Sequence, residues 1–440
     1  MTRSFLSWNA ILGVAAVFFL VVQIRLFRTQ TDYVDQIKSE IRSENDCTDR
    51  MRVLVDRLAS NQGKLSSLEE QKNKLELKVH QLDTLLQDHG RREASRFPDH
   101  GTRGLLTAVV IMACNRQDYL ERTIKSVLKY HGAVASKFPL FISQDGSDEG
   151  VETLAKSRSE FTFMQHLNFQ EPTPRPAPHL LAYYKIASHY KWALSKLFSE
   201  FQRVIILEDD MEIAPDFFDY FEATGALLDN DMSLMAVSSW NDNGQKQFVQ
   251  DSVKLYRSDF FPGLGWMLNK AIWDELAPKW PDAYWDDWMR QSTNRKGRHF
   301  IRPEVCRTYN FGEQGSSQGQ FFKQYLAHIK LNDVAVNWKT TDLSYLLEPK
   351  YSKDFGAAVN EAMPIPLGGA VSEASRLEGD VRIEYNSQEM FEEAAQQFGV
   401  FEEWKDGVPR TGYKGVVVFR WQGPRRVFFV STDSELLEDQ

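Results

Sequence analysis

The chain has 440 residues, with 42% hydrophobic and 26% charged residues and a formal net charge of −9. These proportions are ordinary for a globular protein and exclude collagen-like, wholly disordered and polytopic membrane chains; the length admits two or three units at about 150 residues each. No basic excess suits a nucleic-acid partner, and three cysteines, Cys47, Cys114 and Cys306, are too few and too scattered for a disulfide scaffold or a four-cysteine zinc site.

No residue from Ser4 to Ile24 is charged, and 10–22 is almost wholly apolar; Arg3 precedes the stretch, and Arg25 and Arg28 follow it. Such a helix just crosses a hydrocarbon core of roughly 30 Å. We expect a short tail over 1–4 and a transmembrane signal-anchor over 5–24. A cleaved signal peptide is the competing reading, although no A-x-A-like site follows Val22. Residues 25–104 read as a polar stem. Within it Met51, Leu58, Leu65, Lys72, Val79 and Leu86 fall at position a of a heptad, with Leu54, Asn61, Leu68, Leu75 and Leu82 at d. All but Asn61 and Lys72 are apolar, so a coiled coil over about 47–89 is expected, with a homodimer as its consequence. A monomeric charged helical spacer is the alternative. Cys47 extends the d register, where an oxidising compartment would allow an interchain disulfide.

From Leu105 apolar runs alternate with amphipathic helices. Strands are expected over 105–114, 139–143, 203–207 and 235–239, with helices around 120–128 and 180–201; the Pro-rich run 171–178 breaks the pattern. Alternation of this kind means an α/β sheet, mostly parallel, whose ligands bind beyond the carboxyl ends of the strands. We assign 105–313 to this α/β domain and 314–350 to a loop and linker. Residues 351–440 form a small α/β accessory domain, with a strand at 381–385, a helix at 388–398 and β-rich runs at 415–420 and 427–430.

Three strands end in polar groups: Arg116, Asp145 and the run Glu208-Asp209-Asp210. Adjacent carboxylates at the end of a buried strand repel one another and call for a counter-charge. A divalent cation such as Mg²⁺ or Mn²⁺, shared with substrate phosphates, supplies one; a solvated acidic turn before a helix is the plainer reading. Neither GxGxxG nor GxxxxGK[ST] occurs, which disfavours dinucleotide oxidoreductases and P-loop kinases. Tyr284-Trp285-Asp286-Asp287-Trp288 places carboxylates between aromatic rings, as a sugar site would; a helix start with its Trp residues in the core fits the same pattern. The runs 240–244 and 261–266 carry groups suited to sugar contacts, and 315–320 has the composition of a mobile loop. His189 lies in an apolar helical context, and Cys114 and Cys306 read as buried small hydrophobes.

The stretches ILEDDMEIAPDFFDYF, SSWNDNG, RSDFFPGLGWML, WPDAYWDDWMR, SQGQFF and IKLN resemble the N-acetylglucosaminyltransferase I family, its plant members in particular, over about 105–415. The resemblance implies a GT-A type nucleotide-sugar-binding sheet and a Mn²⁺-dependent inverting transfer. In that transfer GlcNAc moves from UDP-GlcNAc in β1,2 linkage to the α1,3-arm mannose of a Man5GlcNAc2 N-glycan. It also implies a type II Golgi membrane protein with a lumenal catalytic domain. By the family's motifs Asp210 would bind the metal and Asp286 would be the catalytic base. Arg116, Asp145, His189, Glu208, Asp209, Trp285 and Ser317 would contact substrate. The related protein O-mannose β1,2-N-acetylglucosaminyltransferases share donor and bond and are the alternative. The family's animal members carry a disulfide-bonded cysteine directly after the uracil-side Asp, where this chain has Gly146, so their core disulfides are not expected here.

Overall fold

The computed structural model describes residues 106–315 and 319–437, preceded by Gly13, 19–26, 28–31, Lys38, Met51, Lys64, Lys72 and Lys74. The chain divides into two units, Met1–Asp99 and His100–Gln440. In the first, the described residues are helical. Most of the expected anchor and heptad stalk, and all of Cys47, lie outside the described residues. Among the described residues no helix is long and apolar enough to cross a membrane.

The second unit is built on an eight-stranded sheet. Its strands are β1 Thr107–Ala113, β2 Leu140–Asp145, β3 Phe161–His166, β4 Arg203–Glu208, β6 Leu234–Ser238, β7 Leu255–Ser258, β8 Trp266–Asn269 and β9 His299–Pro303, in the order β3-β2-β1-β4-β8-β6-β9-β7. Two short strands, β5 Met211–Ile213 and β10 Thr308–Asn310, pair as a separate antiparallel ribbon. Residues of β1 alternate between two cores, Val109 and Ile111 facing one and Ala108, Val110 and Met112 the other. That period of two, with both faces covered, is what a continuous β-branched run produces in a buried sheet. Helix Gln117–His131 closes one face with Leu120, Ile124 and Val127. Helix Leu181–Phe198 closes the other with Ala187, Tyr190, Leu194 and Phe198.

The four strands β3-β2-β1-β4 are parallel, as expected. In the other half β6 and β9 also pair in parallel, so the sheet is mostly parallel, as expected, with β7 and β8 as its antiparallel strands. β8 runs antiparallel to both β4 and β6, and β7 antiparallel to β9. β7 and β8 are four-residue strands entered from loops rather than through the long crossover connection that parallel pairing requires.

The C-terminal sheet contains β11 Met363–Pro364, β12 Val381–Tyr385, β15 Val416–Arg420 and β16 Arg426–Ser431, in the order β11-β12-β16-β15. Val416, Val418, Phe428 and Val430 face the core of the large sheet; Val417, Phe419, Val427 and Phe429 face a second core with helix Gln388–Phe398. A ribbon of β13 Trp404–Lys405 and β14 Val408–Pro409 projects between β12 and β15 in the chain.

Candidate active site

The carboxyl ends of the four parallel strands bring the first group together. Register pairs Met112 with Glu208 and Asp145 with His166, so β1, β2, β3 and β4 finish at one edge. Asp145 accepts from or shares a proton with His166 Nδ1 at 2.8 Å. His166 stacks on His189 with ring centroids 5.7 Å apart, and His189 Nε2 meets Ser143 Oγ at 2.7 Å. Burial, then the neighbouring His166, hold His189 down at about 3, so its imidazole is neutral. Burial raises the Asp145 carboxyl, against the pull of His166. Gly146, at φ 81°, makes the turn after β2, a backbone position that a side chain such as cysteine would adopt only with strain.

Beyond β4 the acidic run is gathered rather than splayed into water: Asp209 is 2% and Asp210 6% exposed. Thr123 in helix Gln117–His131 donates to the Asp209 carbonyl at 2.8 Å and accepts from Met211 N–H at 3.0 Å, pinning the turn. Arg116 pairs with Asp209 and reaches Asp210 Oδ2 at 3.0 Å, while its other amine donates to the Gln314 carbonyl at 2.7 Å. Asn310, on β10, donates to Asp210 Oδ1 at 3.0 Å. Gly312 then passes so close that a Cβ there would stand 2.8 Å from Asp210 Cγ. Tyr190 donates its phenol to Glu208 at 2.8 Å. Burial and the adjacent Asp210 push the Glu208 carboxyl up to about 7; burial lifts Asp209 to about 6 despite Arg116, and Asp210 is also raised by burial. Three carboxylates thus face one guanidinium.

Asp286 and Asp287 open helix Trp285–Arg290, after Tyr284 in the left-handed region at φ 52°. Non-glycine residues seldom sit there, and such strain concentrates at functional sites. Arg290 donates to Asp286 Oδ2 at 2.9 Å and to Asp287 Oδ1 at 2.7 Å. Trp285 is 6% exposed and packs on Tyr190 at 4.4 Å, with Trp266 at 5.5 Å and Trp280 at 5.8 Å. It therefore offers no open face to a sugar and supports the site from below. The exposed ring is Tyr284, stacked on Tyr183 at 4.6 Å. Tyr190 joins the two halves: its phenol, raised by burial and then by the charge of Glu208, donates to Glu208, and its ring stacks on Trp285.

Other expectations are corrected. The run 240–244 is buried, with Asn243 bonded to Thr411 and to Phe401 N–H, so it ties the large sheet to the C-terminal region instead of facing a ligand. Cys114 is exposed at the end of β1; only Cys306 is buried, and both are free thiols. Ser317 lies outside the described residues. Residues that the sequence did not single out are Tyr190, His166, Asn310, Gly312, Arg290 and Lys405. A buried tyrosine on the face of Ala187 and Leu194 needs a partner for its hydroxyl, and that signal could have marked Tyr190.

The GNT-I family matches residues 13–439. The chain belongs to this family. One relative, the alpha-1,3-mannosyl-glycoprotein 2-beta-N-acetylglucosaminyltransferase of Arabidopsis thaliana, is 58% identical over 422 residues, 96% of this chain and 95% of its own. Two of the solved structures similar to this chain resemble it distantly. The mannosyltransferase PcManGT from Pyrobaculum calidifontis, in complex with GDP-Man and Mn²⁺, is 15% identical over 53% of this chain and 64% of its own, with a TM-score of 0.34. Residues 1–349 of S. aureus TarS in complex with UDP-GlcNAc are 11% identical over 67% of this chain and 71% of its own, with a TM-score of 0.33. Likeness at that level carries no argument about this site.

Proposed function

We propose that this GNT-I family chain is an inverting, metal-dependent glycosyltransferase that moves GlcNAc from UDP-GlcNAc to O2 of the α1,3-arm mannose of a Man5GlcNAc2 N-glycan. The observation that carries the reading is the link through Tyr190. One side chain supports both the acidic run after β4 and the helix start bearing Asp286, so an activated donor and an acceptor hydroxyl can meet between them.

The acidic run suits a divalent cation on its own chemistry. Its carboxylates are nearly dry and under-neutralised by Arg116 alone, and hard oxygen ligands fit Mn²⁺ or Mg²⁺. Among the described residues no group of three or more His, Cys, Asp and Glu converges as a metal site. By the family's motif Asp210 would hold the ion together with phosphate oxygens of the donor. When bound, the cation offsets charge growing on the departing diphosphate. Arg116 brings a fixed positive charge to the same region. Asp145, at the end of β2, would face the nucleotide base, with the buried His189 behind it, held by Ser143 and His166.

Asp286 accepts the proton of the mannose O2 hydroxyl as that oxygen attacks C1 of GlcNAc from the face opposite UDP. One base suffices for a single displacement, and 45% exposure of the Asp286 side chain keeps it open to an incoming glycan. The stacked Tyr183–Tyr284 pair presents an aromatic surface two residues away for the sugar's C–H face. The uncharged stretch within 4–24 would anchor the protein in the Golgi membrane with the catalytic unit in the lumen.

The test is a transfer assay with the purified full chain, UDP-GlcNAc, Mn²⁺ and either Man5GlcNAc2 or an O-mannosyl peptide, with and without chelator. Transfer to Man5GlcNAc2 that chelation abolishes supports the reading. Transfer only to the O-mannosyl peptide, or undiminished transfer in chelator, contradicts it.

A further inference from the structure

We infer that the C-terminal ribbon completes the catalytic centre, with Lys405 acting as a positioning residue that holds Asp287 and, through their shared Arg290, fixes the carboxylate of Asp286. This deepens the proposed function and rests on Asp286 being the base. The geometry turns on one nitrogen. Arg290 Nη1 donates to both Asp286 Oδ2, at 2.9 Å, and Asp287 Oδ1, at 2.7 Å. Each of its two N–H bonds serves one carboxylate, so the two acids share a single nitrogen. Lys405 Nζ donates to the same Asp287 oxygen at 2.9 Å. A second cation on Asp287 reduces its hold on Arg290 and leaves the guanidinium available to Asp286. Take Lys405 away, and Asp287 draws Arg290 toward itself and leaves the base without a fixed partner.

The ribbon is built to present Lys405 rigidly. Asp406 and Gly407 follow it at φ 50° and 78°, the paired positive values of a two-residue hairpin turn that Asp-Gly favours. Its far strand is moored by Arg410, which donates to Asp242 Oδ1 at 2.6 Å and Glu403 Oε2 at 2.5 Å. The guanidinium of Arg410 lies 5.0 Å from the Phe260 ring centre, and that of Arg290 lies 4.7 Å from the same ring. The ribbon and the Asp286 helix are therefore coupled twice, through the Lys405–Asp287 pair and through Phe260. The coupling assigns a task to the C-terminal region that its sequence did not disclose.

The pair is a poor candidate for mere stabilisation. The side chains of Lys405 and Asp287 are 37% and 39% exposed, and exposed ion pairs contribute little to folding. A displaced base, in contrast, costs rate steeply, about a hundredfold for 1 Å. The experiment compares the full chain with Lys405→Met, Lys405→Arg and Asp286→Asn, reading kcat, KM for UDP-GlcNAc, KM for Man5GlcNAc2 and the melting temperature of each. Lys405→Met should lower kcat by about 5- to 20-fold, a fraction of that hundredfold penalty. Both KM values and the melting temperature should stay near wild type, and Lys405→Arg should restore most of kcat. An inactive Asp286→Asn beside a fully active Lys405→Met would overturn the positioning role while leaving the base in place. A kcat loss that tracks a lowered melting temperature and is not rescued by Lys405→Arg would overturn it as well. An active Asp286→Asn would remove the base assignment and this inference with it.

Discussion

Gly312→Ala is the sharpest steric probe of the acidic run. Its added Cβ would stand 2.8 Å from Asp210 Cγ and 3.0 Å from Asp210 Cβ. Asp210 Oδ2 is nearer still, and ordinary heavy-atom contacts begin near 3.5 Å, so the loop and the carboxylate must between them yield by about 1 Å or more. Asp210 has little freedom to move, being 6% exposed and held by Arg116 and Asn310, each at 3.0 Å. The loop is likewise tied, because Gly312 N–H donates to Asn310 Oδ1 at 3.0 Å. Overpacking of this kind costs about 1–3 kcal/mol in stability. Since a 1 Å error in a catalytic group costs about a hundredfold, kcat/KM for UDP-GlcNAc should fall by about 10- to 50-fold, with a higher Mn²⁺ requirement. Initial rates over a matrix of Mn²⁺ and UDP-GlcNAc concentrations measure both. Gly132→Ala serves as the control, since a Cβ there meets nothing within 4 Å. A Gly312→Ala enzyme with wild-type rate and metal requirement would refute the claim that Asp210 works in the position described.

Tyr190→Phe keeps the ring on Trp285 and removes the hydroxyl from Glu208. A hydrogen bond to a charged group contributes about 1.5–3 kcal/mol, so kcat/KM should drop by about tenfold or more; an unchanged value would sever the link between the two halves of the site. His189 and His299 are both held at about 3, the first by burial and His166, the second by burial and Arg257. Both are neutral when folded and take up a proton on unfolding, so their contribution is intact above about pH 6.5 and is lost as pH falls toward 3, at about 1.4 kcal/mol per pH unit for each. The raised carboxyls Glu208 and Asp209 act with the opposite sign, contributing stability at low pH that is lost as pH rises through about 7 and 6. Comparison of urea midpoints for wild type and His189→Gln at pH 7 and 5 therefore isolates one proton. Equal pH dependence in the two proteins would contradict a neutral, buried His189.

Much of this architecture is legible in the chain. β1, β2 and β4 are continuous apolar runs ending in polar groups, and β12, with Val381, Ile383 and Tyr385 alternating, and helix Gln388–Phe398, with Phe391, Ala394, Ala395 and Phe398 at i, i+3, i+4 and i+7, fall where the pattern puts them. β5, β7, β8 and β10 are only three or four residues long and carry no period of their own. The acidic run is conspicuous because three carboxylates are adjacent. Asn310 and Gly312 approach it from about a hundred positions away, and Lys405 meets Asp287 across 118 residues; only the folded sheet creates those pairs. Trp285 shows the limit of composition, since a ring beside two acids suits a sugar platform or a core equally, and the packing of Tyr190, Trp266 and Trp280 decides for the core.

The most direct trial is the single-turnover rate of GlcNAc transfer to Man5GlcNAc2 by Asp286→Asn, at saturating UDP-GlcNAc and Mn²⁺. Loss of a positioned base predicts a rate about 10²- to 10⁴-fold below wild type, with donor binding by calorimetry preserved. A rate within a few-fold of wild type would mean that the mannose hydroxyl gives its proton elsewhere.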